Sequence, residues 1–293
     1  MTSSTTLPNA NSNVTPFTVR ISDDSLEQLK ALLRITPITS ETYESSLPDG
    51  DRKFGIRHDW FLKAIEEWGD TFDWRKHEGH INTFDHFHMN IDDKLGNFHT
   101  HFVAMFPKKK DAIPLMLLHG WPGSFLEFLP TLDKLRKRYL ADDLPYHLIV
   151  PSLPGYAFSS PPPVDKDIEI EDVARVMDQL MLKLGFGDGY MVQGGDVGSN
   201  VLPQFYTPGV NGNPHNMAKY KIPASKPFGY SYYPHELYPV PRSWAATTGN
   251  LSFFRAHEKG GHFAAVEQTE AFLKDHEEFV QESRGAAGFD DSE

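Results

Sequence analysis

From residue 111 onward the chain alternates short apolar runs with amphipathic segments, and nothing else in it constrains the fold as strongly. "IPLMLLHG" (113–120) and "YHLIVPSLPGY" (146–156) are apolar stretches of strand length, and each ends in a loop. A strand without a polar face must be covered on both sides, as in a parallel sheet sandwiched by helices. "IEIEDVARVMDQLMLKLGF" (168–186) supplies an amphipathic helix, and "YMVQGGD" (190–196) returns to the strand pattern. "NLSFFRAHEKGGHFAA" (250–265) reads as a strand, a glycine turn and a helix start, followed by a final helix across 266–282. The expectation is an α/β fold with a mostly parallel sheet and helices on both faces. Ligands then belong at the carboxyl ends of the strands. His119, Asp196 and His262 each follow an apolar strand by a few residues, so all three are expected on one rim of a shared sheet.

The first part of the chain is looser in pattern. Residues 1–16 read as a flexible polar arm, and 17–110 as an N-terminal region. Within that region, helical periodicity predicts helices over 21–35 and 59–74, and alternation predicts a strand over 97–106. The 293 residues suffice for one large α/β domain or two smaller ones.

Composition removes several classes of function. A net charge of −12 argues against a nucleic-acid surface, and the run Lys108–Lys109–Lys110 is too short to reverse that. Without cysteine there are no disulfides, thiolate metal sites or cysteine nucleophiles. No apolar stretch has the length of a membrane span, and the polar N-terminus lacks the apolar core of a secretory signal. A cytoplasmic location is therefore expected. His86-x-His88 and His99-x-His101 put paired imidazoles on one strand face, but no third ligand is placed with them, so no metal is expected.

The chemistry concentrates in "GGDVGS" (194–199), which has the Gly-x-nucleophile-x-Gly spacing of a strand-to-helix elbow with Asp196 at its centre. A carboxylate there suits displacement at an sp³ carbon, leaving an alkyl ester that a His-activated water then hydrolyses. His262 is the candidate base. "HGWPG" (119–123) suits an oxyanion hole, because its glycines let backbone N–H groups approach a ligand.

Longer segments carry a family likeness. "HGWPGS", "PSLPGYAFSSPP", "GGDVGS", "KPFGYSYYPHELYPVPRSW" and "KGGHFAAVEQ" resemble epoxide hydrolases of the microsomal type, in their soluble fungal branch. "FDWRKHEGHINTFDHFHMNID" resembles that family's own N-terminal region, so the likeness spans nearly the whole chain. It implies an α/β-hydrolase core over 111–200 and 225–293, with Asp196 as nucleophile and His262 as base. It also implies Glu236 as the acid that orients the histidine, and backbone N–H groups at Trp121 and Val197 as oxyanion donors. No cofactor is implied. The substrate would be a small apolar epoxide, and the setting detoxification or secondary metabolism.

The chain departs from that pattern between the elbow and the acid. Family members place a further strand and a long helical lid there, and the lid supplies two tyrosines that hold the epoxide oxygen. Here residues 201–224 contain Pro203, Pro208, Gly209, Gly212, Pro214 and Pro223, so no long helix is expected and the lid is read as absent or vestigial. Tyr206 and Tyr220 are the tyrosines left in that stretch to replace the lost pair. Loss of a central strand would leave unpaired backbone groups on its neighbours unless they close up. The alternatives are a catalytically impaired homologue that binds a small molecule or another chain, a homo-oligomer included, and dehalogenase-type displacement by the same aspartate.

Overall fold

The computed structural model describes residues 13–109, 111–202, 221–286 and 288–289. Thr18–Phe84 form one compact unit and the remaining residues another. The small unit is helical: α1 Asp23–Ile35, α2 Tyr43–Ser46, α3 His58–Asp70 and α4 Trp74–Ile81. Ser22 caps α1 by accepting the Ser25 N–H. The helix expected over 59–74 stops at Asp70, because Asp73 accepts the N–H groups of Arg75 and Lys76 and so begins α4 instead. Within this unit Glu78 is a buried hub. It accepts the Ile21 N–H at 2.7 Å, the Trp74 indole N–H at 2.9 Å and Arg75 Nη1 at 2.7 Å.

The larger unit carries a six-stranded sheet of β1 Val14–Phe17, β2 Asp85–Asp93, β3 Gly96–Met105, β4 Ile113–Leu118, β5 Tyr146–Pro151 and β6 Met191–Gly194. Its order is β1-β2-β3-β5-β4-β6. The pairs β5–β4 and β4–β6 are parallel, as the apolar runs predict. The pairs among β1, β2, β3 and β5 are antiparallel, so the sheet as a whole is mixed. β1 lies where the sequence reading joins the polar arm to the N-terminal region.

The helices of this unit are α5 Leu129–Arg138, α6 Ile170–Leu184, α7 Val197–Val201, α8 Arg242–Ala245, α9 Ala264–Glu267 and α10 Thr269–Ser283. Why β4 is apolar at all six positions follows from what lies on its two faces. Met116 and Leu118 join the core formed with Phe87, Met89, Ile91 and the α6 residues Met177, Leu180 and Met181. Leu115 and Leu117 point the other way, toward Leu135 of α5 and Phe272 and Leu273 of α10. Each side chain so buried contributes about 1.5–3 kcal/mol. α6 is framed by a reciprocal Glu169/Asp172 capping box and stopped by Gly185 at φ 99°.

Two further strands, β7 Pro227–Tyr232 and β8 Asn250–Ala256, pair in parallel and form a sheet of their own. This corrects the expectation of one shared sheet. Among the described residues nothing lies between β6 and β7 in strand pairing, and 203–220 of the connecting segment fall outside them. The small sheet is tied to α10 through Asp275, which accepts Ser231 Oγ and meets His257 Nε2, both at 2.6 Å.

Candidate active site

β6 ends at Gly194, and the chain turns sharply through Asp196 into α7. Asp196 has φ 50° and ψ −119°, a conformation that an L-residue adopts only where its surroundings hold it. Two glycines permit the packing. A Cβ at Gly198 would collide with the Leu118 carbonyl, and one at Gly120 would collide with the Asp196 side chain itself. The strand β4, its following loop and the elbow are thereby pressed together.

The two carboxylate oxygens of Asp196 have different neighbours. Oδ1 accepts the backbone N–H of Trp121 at 2.8 Å. Oδ2 faces His262 Nε2 at 3.6 Å. On the far side of the ring, His262 Nδ1 donates to Glu236 Oε1 at 2.6 Å. The segments bearing that pair are joined by the bridge between His235 and Gly261, reinforced by the His235 N–H to the Gly260 carbonyl at 3.0 Å. Thus Asp196, His262, Glu236 and Trp121, singled out in the sequence, lie in one place. Val197 is the first residue of α7, directly after the carboxylate. Tyr206 and Tyr220 lie outside the described residues.

Burial works against the His262 imidazolium. The Glu236 hydrogen bond and charge, the Asp196 charge and the Trp121 backbone together outweigh it, and the pKa lies above the ordinary 6.5. With Nδ1 committed to Glu236, Nε2 is the nitrogen left to exchange a proton beside Asp196. The side chains of Asp196 and Glu236 stay about one-third exposed, and Trp121 is 65% exposed, so the carboxylate can be reached from outside.

His119 holds the loops apart from any chemistry. Its Nε2 accepts the Leu153 N–H at 3.1 Å and Nδ1 meets the Gly120 carbonyl at 3.1 Å. Burial draws its pKa down to about 4 and keeps it neutral. The paired histidines on β2 and β3 bond to their own surroundings: His86 Nδ1 to His101 Nε2 at 3.0 Å, His101 Nδ1 to Ser152 Oγ at 2.8 Å. Among the described residues no group of three His, Asp or Glu is placed to hold a metal ion.

Two groups at the site escaped the sequence reading. Tyr156 has its hydroxyl pKa raised by burial and by the charge of Asp196. Glu127, in the 3-10 turn Phe125–Phe128, is a third carboxyl near His262 and Asp196. Its signal in the sequence is faint: an acid enclosed in "FLEF" just after the oxyanion loop.

A sharp strand-to-helix turn after the parallel strand β6, facing a histidine in the loop after the chain's last strand, makes the larger unit an α/β-hydrolase. Residues 113–206 match the family model for the alpha/beta hydrolase fold, and residues 14–128 match the model for the epoxide hydrolase N terminus. A Dothistroma septosporum protein named "Putative epoxide hydrolase" is 31% identical over 392 aligned positions, which take in 96% of this chain and 93% of the relative. Epoxide hydrolase 1 of Sus scrofa is 34% identical across 64% of this chain and 40% of its own. Among solved structures, the epoxide hydrolase of Aspergillus niger superposes with a TM-score of 0.82 at 35% identity, covering 92% of this chain and 96% of its own. The chain belongs to the epoxide hydrolase family. Since 293 residues cannot fill the 392 positions aligned with the Dothistroma relative, at least 99 of those positions are gaps in this chain.

Proposed function

We propose that this protein adds water to a small apolar epoxide and releases a vicinal diol through an ester on Asp196. The observation that carries the proposal is the division of labour between the Asp196 oxygens: one held by a backbone N–H, the other turned to an imidazole. Oδ2 attacks an epoxide carbon, the ring C–O bond breaks, and the ring oxygen leaves as an alkoxide that takes up a proton. Asp196 is then a neutral ester whose carbonyl oxygen is Oδ1. Water attacks the ester carbon and gives one proton to His262 Nε2. The negative charge forming on Oδ1 meets the Trp121 N–H, with Val197 N–H as the second donor. Glu236 steadies the imidazolium, as the acid of a hydrolytic triad does. The bond from the ester carbon to Oδ2 breaks, the imidazolium returns its proton to the departing oxygen, and the diol leaves. The new Asp196 carboxyl releases its remaining proton, which replaces the one taken up by the alkoxide.

Named epoxide hydrolase relatives, together with this convergence of acid, base and donor, do not favour the non-catalytic binder. The gaps against the Dothistroma relative support a shortened segment at 201–224 in place of a lid. Tyr206 and Tyr220 are the tyrosines in that segment for the alkoxide's proton. An apolar substrate fits the exposed Trp121, Leu237 and Tyr238, which are the site residues or adjoin them in sequence. The same exposed residues would support self-association. Among the described residues no helix is long and apolar enough to cross a membrane. Incubation with styrene oxide tests the reading: diol should form in the wild-type protein, and none should form in Asp196→Ala.

A further inference from the structure

Glu127 has no place in the scheme above, yet its position demands one. It sits in the turn after the oxyanion loop, and its carboxyl folds back onto that loop. A Cβ on Gly123 would collide with Oε1, so the carboxyl lies directly against the loop backbone there. Among the described residues Oε1 is buried with no hydrogen-bond partner. A buried oxygen of this kind costs free energy unless water or a ligand meets it. In the same loop Gly120 packs against Asp196, and the charges of both His262 and Asp196 reach the Glu127 carboxyl.

Resting on the ester mechanism proposed above, we infer that Glu127 is a catalytic residue of the second half-reaction, in which Oε1 holds the water that attacks the Asp196 ester. The water oxygen bonds to the ester carbon, one of its protons passes to His262 Nε2, and the other stays hydrogen-bonded to Oε1 without transfer. Nothing is oxidised or reduced, and Glu127 ends as it began.

The electrostatics supply the timing. Burial foremost pushes the Glu127 pKa up to about 7; the Gly120 backbone and the His262 charge oppose this, while the Asp196 charge adds to it. Ester formation removes the Asp196 charge. Glu127 then ionises more readily and becomes a better acceptor, and His262 loses one of the charges that favour its protonated form. Glu127 is then more fully ionised and His262 more fully neutral in the one intermediate that needs water activated.

The test follows the two half-reactions separately, by rapid quench and intact mass with styrene oxide, in wild type, Glu127→Gln and Glu127→Asp, with thermal melts to verify folding. Glu127→Gln should form the ester at the wild-type rate and hydrolyse it about tenfold to hundredfold more slowly, as expected of misplaced water. Glu127→Asp, which keeps the carboxyl one methylene short, should hydrolyse it at an intermediate rate. Unchanged hydrolysis in folded Glu127→Gln, or equal slowing of both steps, would overturn the inference. If Glu127→Gln does not fold, Glu127→Asp decides alone, and wild-type hydrolysis in it overturns the inference. Absence of any ester in wild type would instead sink the ester mechanism itself, and the role of Glu127 with it.

Discussion

Trp121 donates its backbone N–H to Oδ1 of Asp196 at 2.8 Å, across 75 positions of sequence. In the proposed mechanism that contact sets which carboxylate oxygen becomes the ester carbonyl and which one is free to attack. It also explains why the loop and the elbow must approach so closely, and the predictions below follow from that arrangement.

Removal of the base should separate the two half-reactions. His262→Ala leaves Asp196 able to form the ester but takes away the group that accepts the water's proton. Ester hydrolysis should fall by about 10²–10⁴-fold, and the ester should accumulate. Intact mass spectrometry during turnover checks this.

Glu236→Gln should shift the pH profile. His262 must be neutral to act as base, so hydrolysis rises as pH climbs through its pKa. Glu236 contributes both a hydrogen bond and a charge that raise that pKa above 6.5. Without the charge the acid limb should move to lower pH while the plateau rate drops. A limb that stays in place, or moves up, would show that Glu236 does not act on this histidine.

Gly198→Ala probes the elbow without touching a titratable group. The added methyl meets the Leu118 carbonyl, which is backbone and cannot swing aside. Stability should fall by about 1–3 kcal/mol, read as a lowered urea midpoint, and activity should fall with it.

Acid should weaken the helical unit through Glu78. Burial would raise its pKa, but the Ile21, Trp74 and Arg75 hydrogen bonds prevail and lower it to about 2. A carboxyl whose pKa is depressed on folding contributes stability above its unfolded value, and that contribution is lost as pH falls toward the folded one. Glu78→Gln should therefore flatten the loss of stability between pH 4.5 and about 2. Urea unfolding followed across that window measures it.

Strands β4 and β5 are legible in the sequence because both of their faces are buried, whereas β6, half-buried beyond Met191, is marked by the glycine turn that follows it. β2 is not: "DHFHMNIDD" mixes histidines and acids, and its apolar Phe87, Met89 and Ile91 are on one face only. The division of β7 and β8 from the main sheet is equally hidden, since pairing partners far apart in sequence leave no local trace. Asp196 and His262 stand out through the glycines around them. Glu127 does not, because what distinguishes it is a side chain folded back on a loop, a tertiary event that residue order does not record.

The central claim is that water attacks Asp196 and not the epoxide. One turnover in heavy-oxygen water, followed by peptide mapping, tests it most directly. The heavy oxygen should appear in the carboxylate of Asp196 and be missing from the first diol released. Heavy oxygen in that diol, with none in the peptide containing Asp196, would contradict the account.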